Sequence, residues 1–535
     1  MMLFRRCSFS LLAAVSIVLM VLCCVFPDCA CLLDFYPYNS GSIIIKQYLL
    51  GKYFEFKGKK MVGSKIVCIF FAAILVLGLF ATSANGCYAV VVGKDASADG
   101  AVLLGHNEQN YGQRFLNFRK IPRLEHKDGE MIKLHGGAEV PQVKESYAFL
   151  WSENPGIAYS DGYLNEWGVA IVSDGCPDRS EDLHKLEAEG QLVKGGVGYM
   201  LRRLIAERAR TAREGVQIAG ELIEQVGYPS SRTLVIADSK EAWLLSMSRG
   251  KQWVAQRVPD DGVVLLPNVY VIQKINLEDR RNFLSSPNLI EHATKKGWYN
   301  SAGGKEFDFS EAYGRPQKPL MDERQWRGQC LVTGKDIEKE PDRKLPFSVK
   351  PARKLSVKDV ISILRFHGEG SLCSGTTQEA AVFQLRSNMP VDIGCIYWRC
   401  SAEPCSSILT PWYCGITETP KEYYKAVNVM ENLTLECHFS ESPEKFRPDA
   451  GMAWWIFKGL QDKVRADYEN RIGIVRATFD NYEATVFASQ SVVEKKAMDL
   501  YRNDKPAARR YITDYSRAVA LSAVDTARRL TKKFK

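Results

Sequence analysis

The passage around residue 87 most limits what this chain can build. The apolar run Ile66–Ala81 follows Lys59, Lys60 and Lys65 and ends in the small-residue stretch Ala84-Asn85-Gly86, the three parts of a secretory signal. Cleavage after Gly86 would make Cys87 the first residue of the mature chain. The next residues, Tyr88-Ala-Val-Val-Val92, are strongly β-forming, so structure begins at once. A strand whose first residue is a cysteine suits a nucleophile better than a lipid tether, which needs a flexible polar linker. A lipid-attachment signal also prefers Leu three residues before the cysteine, where Ala84 stands.

An earlier apolar run, Leu11–Phe26, follows Arg5 and Arg6. Both runs are shorter than the roughly 20 residues a membrane span requires. Met61-Val-Gly-Ser-Lys65 reads as a natural start. The expected organisation is therefore a leader over 1–86, with 1–60 a mis-assigned start and 61–86 the signal. A main domain over 87–415 and a helical C-terminal region over 416–535 follow. The mature protein is expected to be secreted or periplasmic, touching a membrane only transiently through the signal segment.

Charge sorts with this division. The 535 residues carry 71 Lys plus Arg against 62 Asp plus Glu, a net +9, and residues 1–86 hold eight basic side chains against three acidic ones. The body has little basic excess left, so no nucleic-acid partner is expected. The cysteines form no Cys-x-x-Cys pair, and the seven histidines have no zinc-site spacing, so neither a metal nor a cofactor is expected. Disulfides are allowed in an exported chain, and the closely spaced Cys395, Cys400, Cys405 and Cys414 invite a pair, with buried free thiols an equal alternative.

The body reads as strands at 87–92, 101–105, 168–173, 233–237, 242–248, 251–258, 380–385 and 393–399. A helix carries Val216, Ala219, Ile223 and Val226 and stops at Gly227 and Pro229. Helical patterns return over 454–468 and 507–530. Meanders followed by separate helices predict an α+β fold with antiparallel sheets. A glycine-rich phosphate loop in a βαβ unit is missing, which removes nucleotide-binding folds.

Several blocks in order carry a resemblance. Cys87-Tyr-Ala-Val-Val-Val-Gly-Lys-Asp-Ala-Ser-Ala-Asp-Gly100, Asn165-Glu-Trp-Gly-Val-Ala-Ile-Val-Ser173, Leu266-Pro-Asn268, Ser286-Pro-Asn-Leu-Ile290, Lys296-Gly-Trp-Tyr299, Thr376-Thr-Gln-Glu379, Phe383-Gln-Leu-Arg386 and Pro411-Trp-Tyr413 resemble the PepD-type dipeptidases, relatives of the secernins. That family belongs to the N-terminal-nucleophile hydrolases with the αββα sandwich. The resemblance implies Cys87 as nucleophile with its own α-amine as base, and Asn268 in the oxyanion region. It also implies that Ser173 and Asp174 approach the scissile carbonyl from another strand. Asp161 and Asp174 are candidates for holding a dipeptide's free amine. Asn165 either binds substrate or caps a hairpin, and Arg386 is either a ligand contact or a sheet-face residue.

One stretch departs from the family. The related enzymes carry Arg-Asn-Glu-Asp after the first hairpin, whereas this chain has His106-Asn-Glu-Gln109. His106 retains a donor and Gln109 a hydrogen bond, but the carboxylate that anchors the free amine is gone. Glu108 carries one at the adjacent position, although neighbours on a strand point to opposite faces. The expected function is metal-free hydrolysis of unblocked dipeptides by a protein that can form homo-oligomers. The alternatives are hydrolysis of non-peptide acyl amides on the same fold, or a Cys87-lipidated or degenerate non-enzymatic surface protein.

Overall fold

Every residue of Tyr88–Val92 and of Val102–Gln109 is buried. Strands without a solvent face must lie inside a layered fold, covered on both sides. The computed structural model describes residues 86–109, 116–153, 162–425 and 448–534, together with the backbone of 33–37 and 43–47. Leu33–Pro37 and Ile43–Gln47 pair antiparallel and belong to a separate unit, 1–82. The stretch 61–86 expected to act as a signal lies, apart from Gly86, outside the described residues. Among those described, no helix is long and apolar enough to cross a membrane.

The unit from residue 83 onward holds two large antiparallel sheets and two small two-stranded ones. One has six strands in the order Val263–Leu266, Tyr88–Val92, Val102–Gln109, Thr377–Leu385, Cys395–Ser401 and Thr410–Tyr413. The other has eight, ordered Phe283–Ser285, Trp253–Arg257, Ala242–Met247, Arg232–Ala237, Ala170–Gly175, Tyr163–Asn165, Phe149–Glu153 and Asn117–Ile121. Alternation sorts their side chains. Ala170, Val172, Val235 and Leu244 join Val91, Leu104 and Phe383 in the core between the sheets, while Ile171, Leu234, Ile236 and Leu245 pack beneath helices.

Those helices are Met200–Arg208 and Ala212–Val226. Thr211 caps the second by accepting the Glu214 N–H, and Gly227, at φ 79°, ends it. On the outer face of the six-stranded sheet lie Glu323–Thr333, Val357–Leu364, Ala453–Arg465, Tyr468–Asn503 and Lys505–Lys533. The order helix, sheet, sheet, helix makes this an α+β αββα sandwich with antiparallel sheets. The helix Val357–Leu364 can sit tight on the strand Val102–Gln109 because Gly105 has no side chain. A Cβ there would come within 2.4 Å of Val360 Cγ1. Gly105→Ala is expected to lower stability by about 1–3 kcal/mol through overpacking, measured as a shift in the denaturant midpoint.

The strands expected from patterning are present with shifted ends. Within the helical region expected over 416–535, apolar spacing does not mark the 36-residue helix Tyr468–Asn503, because its buried face includes Glu483 and Glu494 beside Val475, Phe479, Val486 and Val493. Glu483 pairs with Arg365 at 2.5 Å and Glu494 with Arg386 at 2.6 Å. Arg386 also donates to the carbonyls of Ile393 and Gly394, which makes it a residue that pins a helix to the sheet. Among the described residues Cys87, Cys176, Cys330, Cys373, Cys395, Cys400, Cys405 and Cys414 are separate buried thiols.

Candidate active site

Cys87 stands at the head of the strand Tyr88–Val92 and is 6% exposed. Register brings its neighbours. Tyr88 lies opposite Asn107 and Ala89 opposite His106, so the next cross-strand position sets Glu108 against Cys87. The Cys87 thiol, a ring nitrogen of His106 and a carboxylate oxygen of Glu108 all lie within 4.8 Å of one another. The backbone of Gln109 closes the group, its N–H 3.4 Å and its carbonyl 3.6 Å from Cys87 Sγ.

Asn107 and Gln109 face the other way. Both side-chain amides donate to the Leu372 carbonyl, at 2.9 and 3.0 Å, and Asn107 also donates to the Leu364 carbonyl. The carboxylate missing at position 109 is therefore replaced by Glu108, on the face that carries the thiol. The alternation rule holds, and it separates Gln109, rather than Glu108, from Cys87.

The second sheet supplies Asp174, whose Oδ1 lies 3.0 Å from His106 Nε2. Both side chains are almost fully buried. Burial raises the Asp174 carboxyl above its usual range, against the pull of His106, Arg324 and Arg232. Ser173, one residue earlier, points to the opposite face. Its hydroxyl accepts from Arg202 and, at 3.2 Å, from Arg232, beneath the helix layer. The expected catalytic role of Ser173 is thus corrected, because strand alternation carries it away from the thiol.

Asn268 packs directly on the Gly86–Cys87 junction, where a Cβ on Gly86 would fall 2.1 Å from Asn268 Oδ1. Its amide donates to the Gly175 carbonyl at 2.9 Å. Arg324 completes this corner and had no signal in the sequence. Asp322 accepts the N–H groups of Arg324 and Gln325, starting the helix Glu323–Thr333 so that Arg324 sits in its first turn. The guanidinium donates to the Gly86 carbonyl at 2.6 Å, the Cys87 carbonyl at 3.2 Å and Asn268 Oδ1 at 2.7 Å.

Asn165 is not available to a substrate. Its amide nitrogen donates to the Ala206 and Ala209 carbonyls, and its oxygen accepts the N–H groups of Trp167 and Val169. Four bonds exhaust the side chain. This corrects the substrate-binding assignment in favour of the hairpin cap. Asn165→Ala should cost at least about 2 kcal/mol by orphaning buried backbone groups, with KM of the surviving folded enzyme unchanged. A large KM rise at unchanged stability would restore the binding role. Asp161 lies outside the described residues.

Cys176, Cys400 and Cys414 are pushed up to about 12 by burial, which leaves them protonated and inert near neutrality. A cavity of about 440 Å³ is lined by Pro177, Val269, Tyr270, Gln325, Arg315 and Lys344, among others, which include the chain neighbours of Asn268 and Arg324 but not those two residues. It does not include Cys87 itself.

An αββα sandwich with a cysteine at the head of a central strand, facing a buried histidine and two carboxylates, is the architecture of a cysteine-type hydrolase. The family described as Peptidase family C69 matches residues 86–374, and the chain belongs to it. It is therefore a cysteine-type peptidase. It is 25% identical over 412 residues to a protein from Latilactobacillus sakei named a probable dipeptidase, covering 72% of this chain and 82% of that one. It is 27% identical over 373 residues to a probable dipeptidase of Salmonella dublin, covering 64% and 84%. Among solved structures, a mutant conjugated bile acid hydrolase from Clostridium perfringens is similar at 11% identity and a TM-score of 0.32, covering 64% of this chain and 97% of that one.

Proposed function

We propose that the protein is an exported dipeptidase that hydrolyses the peptide bond of unblocked dipeptides through Cys87, freed at the N-terminus by loss of residues 1–86. The observation that carries this reading is the convergence of Cys87, His106, Glu108, Asp174, Asn268 and Arg324 on the Gly86–Cys87 junction. The relatives named probable dipeptidases support the substrate class.

Cutting after Gly86 frees an α-amine whose ordinary pKa, near 8, lets it take the thiol proton at neutral pH. The Glu108 carboxylate holds the resulting ammonium beside the thiolate. Sulfur attacks the dipeptide carbonyl, and the oxyanion forms next to Asn268 and Arg324, where the Gly86 carbonyl sits in the uncut chain. The C–N bond breaks as the ammonium returns a proton to the leaving amine. Water, deprotonated by the same amine, then cleaves the thioester and restores the thiol. The cavity's basic rim, with Arg179, Arg315, Lys318 and Lys344, suits a dipeptide's carboxylate.

The contact between His106 and Asp174 favours a second reading, in which imidazole takes the thiol proton while Cys87 remains within the chain. Intact mass of the purified active protein distinguishes the two. The first reading expects a chain that begins at Cys87, cleaves unblocked dipeptides and ignores N-acetylated ones. Full activity with Gly86 still attached would transfer the base role to His106. Acylated Cys87 without turnover would make the protein a lipid-anchored one, and preference for N-acyl amides would replace the dipeptide substrate.

A further inference from the structure

Four metal-ligating side chains meet at a second place, behind the catalytic strand. His367 and Cys373 belong to the loop that follows the helix Val357–Leu364. Glu403 and Cys405 belong to the turn that follows the strand Cys395–Ser401. Their donor atoms all lie within 4.8 Å of one another. Cys373, Glu403 and Cys405 are at most 3% exposed. We propose that His367, Cys373, Glu403 and Cys405 form a structural Zn²⁺ site that braces the loop behind the nucleophile.

The donor set is the chemistry zinc favours, two sulfurs, one imidazole and one carboxylate in a closed four-coordinate site. Zinc bonds of about 2.0–2.3 Å place neighbouring donors about 3.3–3.8 Å apart, so the four need only small shifts. Glu403 Oε1 already lies 2.8 Å from Cys405 Sγ and 3.7 Å from Cys373 Sγ. A disulfide between the cysteines would account for neither the imidazole nor the carboxylate at the same point.

The surroundings complete the charge balance. Two thiolates and a carboxylate carry three negative charges, which the dication and Arg465 neutralise together. Arg465 grips Glu403 with two bonds, Nε to Oε2 at 2.6 Å and Nη2 to Oε1 at 2.7 Å, the outer contact that orients a ligating carboxylate. On binding, both cysteines release their thiol protons to solvent.

The loop is folded so that its ends meet. The N–H groups of Leu372 and Cys373 both donate to the Phe366 carbonyl, which brings His367 back beside Cys373. The Leu372 carbonyl, one residue from a ligand, is the acceptor shared by Asn107 and Gln109. Zinc would thereby fix the strand end whose Gln109 backbone touches Cys87 Sγ. Five residues separate His367 from Cys373 and one separates Glu403 from Cys405, spacings outside the familiar zinc patterns.

The test is metal content of the full protein after equilibration with zinc and gel filtration, read by atomic emission. About one zinc ion per chain is expected, with Cys87→Ala unchanged and Cys373→Ser or Cys405→Ser empty. Should those variants misfold, His367→Ala, which removes one donor from the loop, is expected to weaken zinc binding at least about tenfold while retaining the wild-type circular dichroism. Cobalt in place of zinc should show thiolate-to-metal charge transfer and intense tetrahedral bands, lost in Cys405→Ser. A folded protein without stoichiometric zinc overturns the site. So does zinc that is lost in Cys87→Ala but kept in Cys405→Ser, or a Cys373–Cys405 disulfide found by peptide mapping of the native protein.

Discussion

Replacing Cys87 with alanine is expected to abolish dipeptide hydrolysis, a loss on the order of 10⁴-fold or more, while the fold survives. The thiol is small, and its contacts with the Gln109 backbone are two long ones, whose removal costs roughly 1 kcal/mol at most. The surrounding layers owe nothing to it, since Tyr88–Val92 is held by pairing with Val102–Gln109 and Val263–Leu266. Activity toward an unblocked dipeptide, followed beside the thermal midpoint, separates lost chemistry from lost structure. Turnover retained by Cys87→Ala would refute every mechanism offered above, whichever group acts as base. Glu108→Gln is the companion change. It keeps the shape and removes the charge, so it should lower kcat and move the lower limb of the pH–rate profile without moving the midpoint.

The largest effect on stability is expected from Glu494→Ala, at about 3–5 kcal/mol. Arg386 and Glu494 are 8% and 7% exposed and exchange two bonds, 2.6 and 2.9 Å long. Removing the carboxylate leaves a guanidinium that cannot shed its charge and whose remaining hydrogen bonds, among the described residues, go to the Ile393 and Gly394 carbonyls. Replacing both partners with apolar residues, as Arg386→Met with Glu494→Leu, should return most of the loss, because the unpaired buried charge is the main penalty. Denaturant unfolding of the two variants decides this. An equally damaged double variant would mean that the pair contributes far more than charge compensation.

The same pair explains why part of the C-terminal region could not be read from patterning. Tyr468–Asn503 buries Glu483 and Glu494 where a periodic helix would carry apolar residues, and each is acceptable only because an arginine from a distant strand or loop meets it. Helices with an unbroken apolar stripe, such as Ala212–Val226, were legible. The site divides in the same way. Cys87 was legible because a signal-like segment, small residues and a β-run meet there, which is local information. Asp174 and Asn268 were legible as members of recurring blocks. Arg324 was not, since its role depends on a helix start lying 238 residues from the Gly86 carbonyl it binds.

Position along the chain by itself determined the layered α+β class, the strands near residue 87 and the cysteine that heads them, because alternation and turn chemistry act over a few residues. Tertiary structure decided which neighbours face that cysteine. Cross-strand register turned Glu108 toward it and Gln109 away, and the pleat took Asp174 inward and Ser173 outward. Those outcomes depend on pairing between distant segments, and a shift of one residue in any pairing would reverse them.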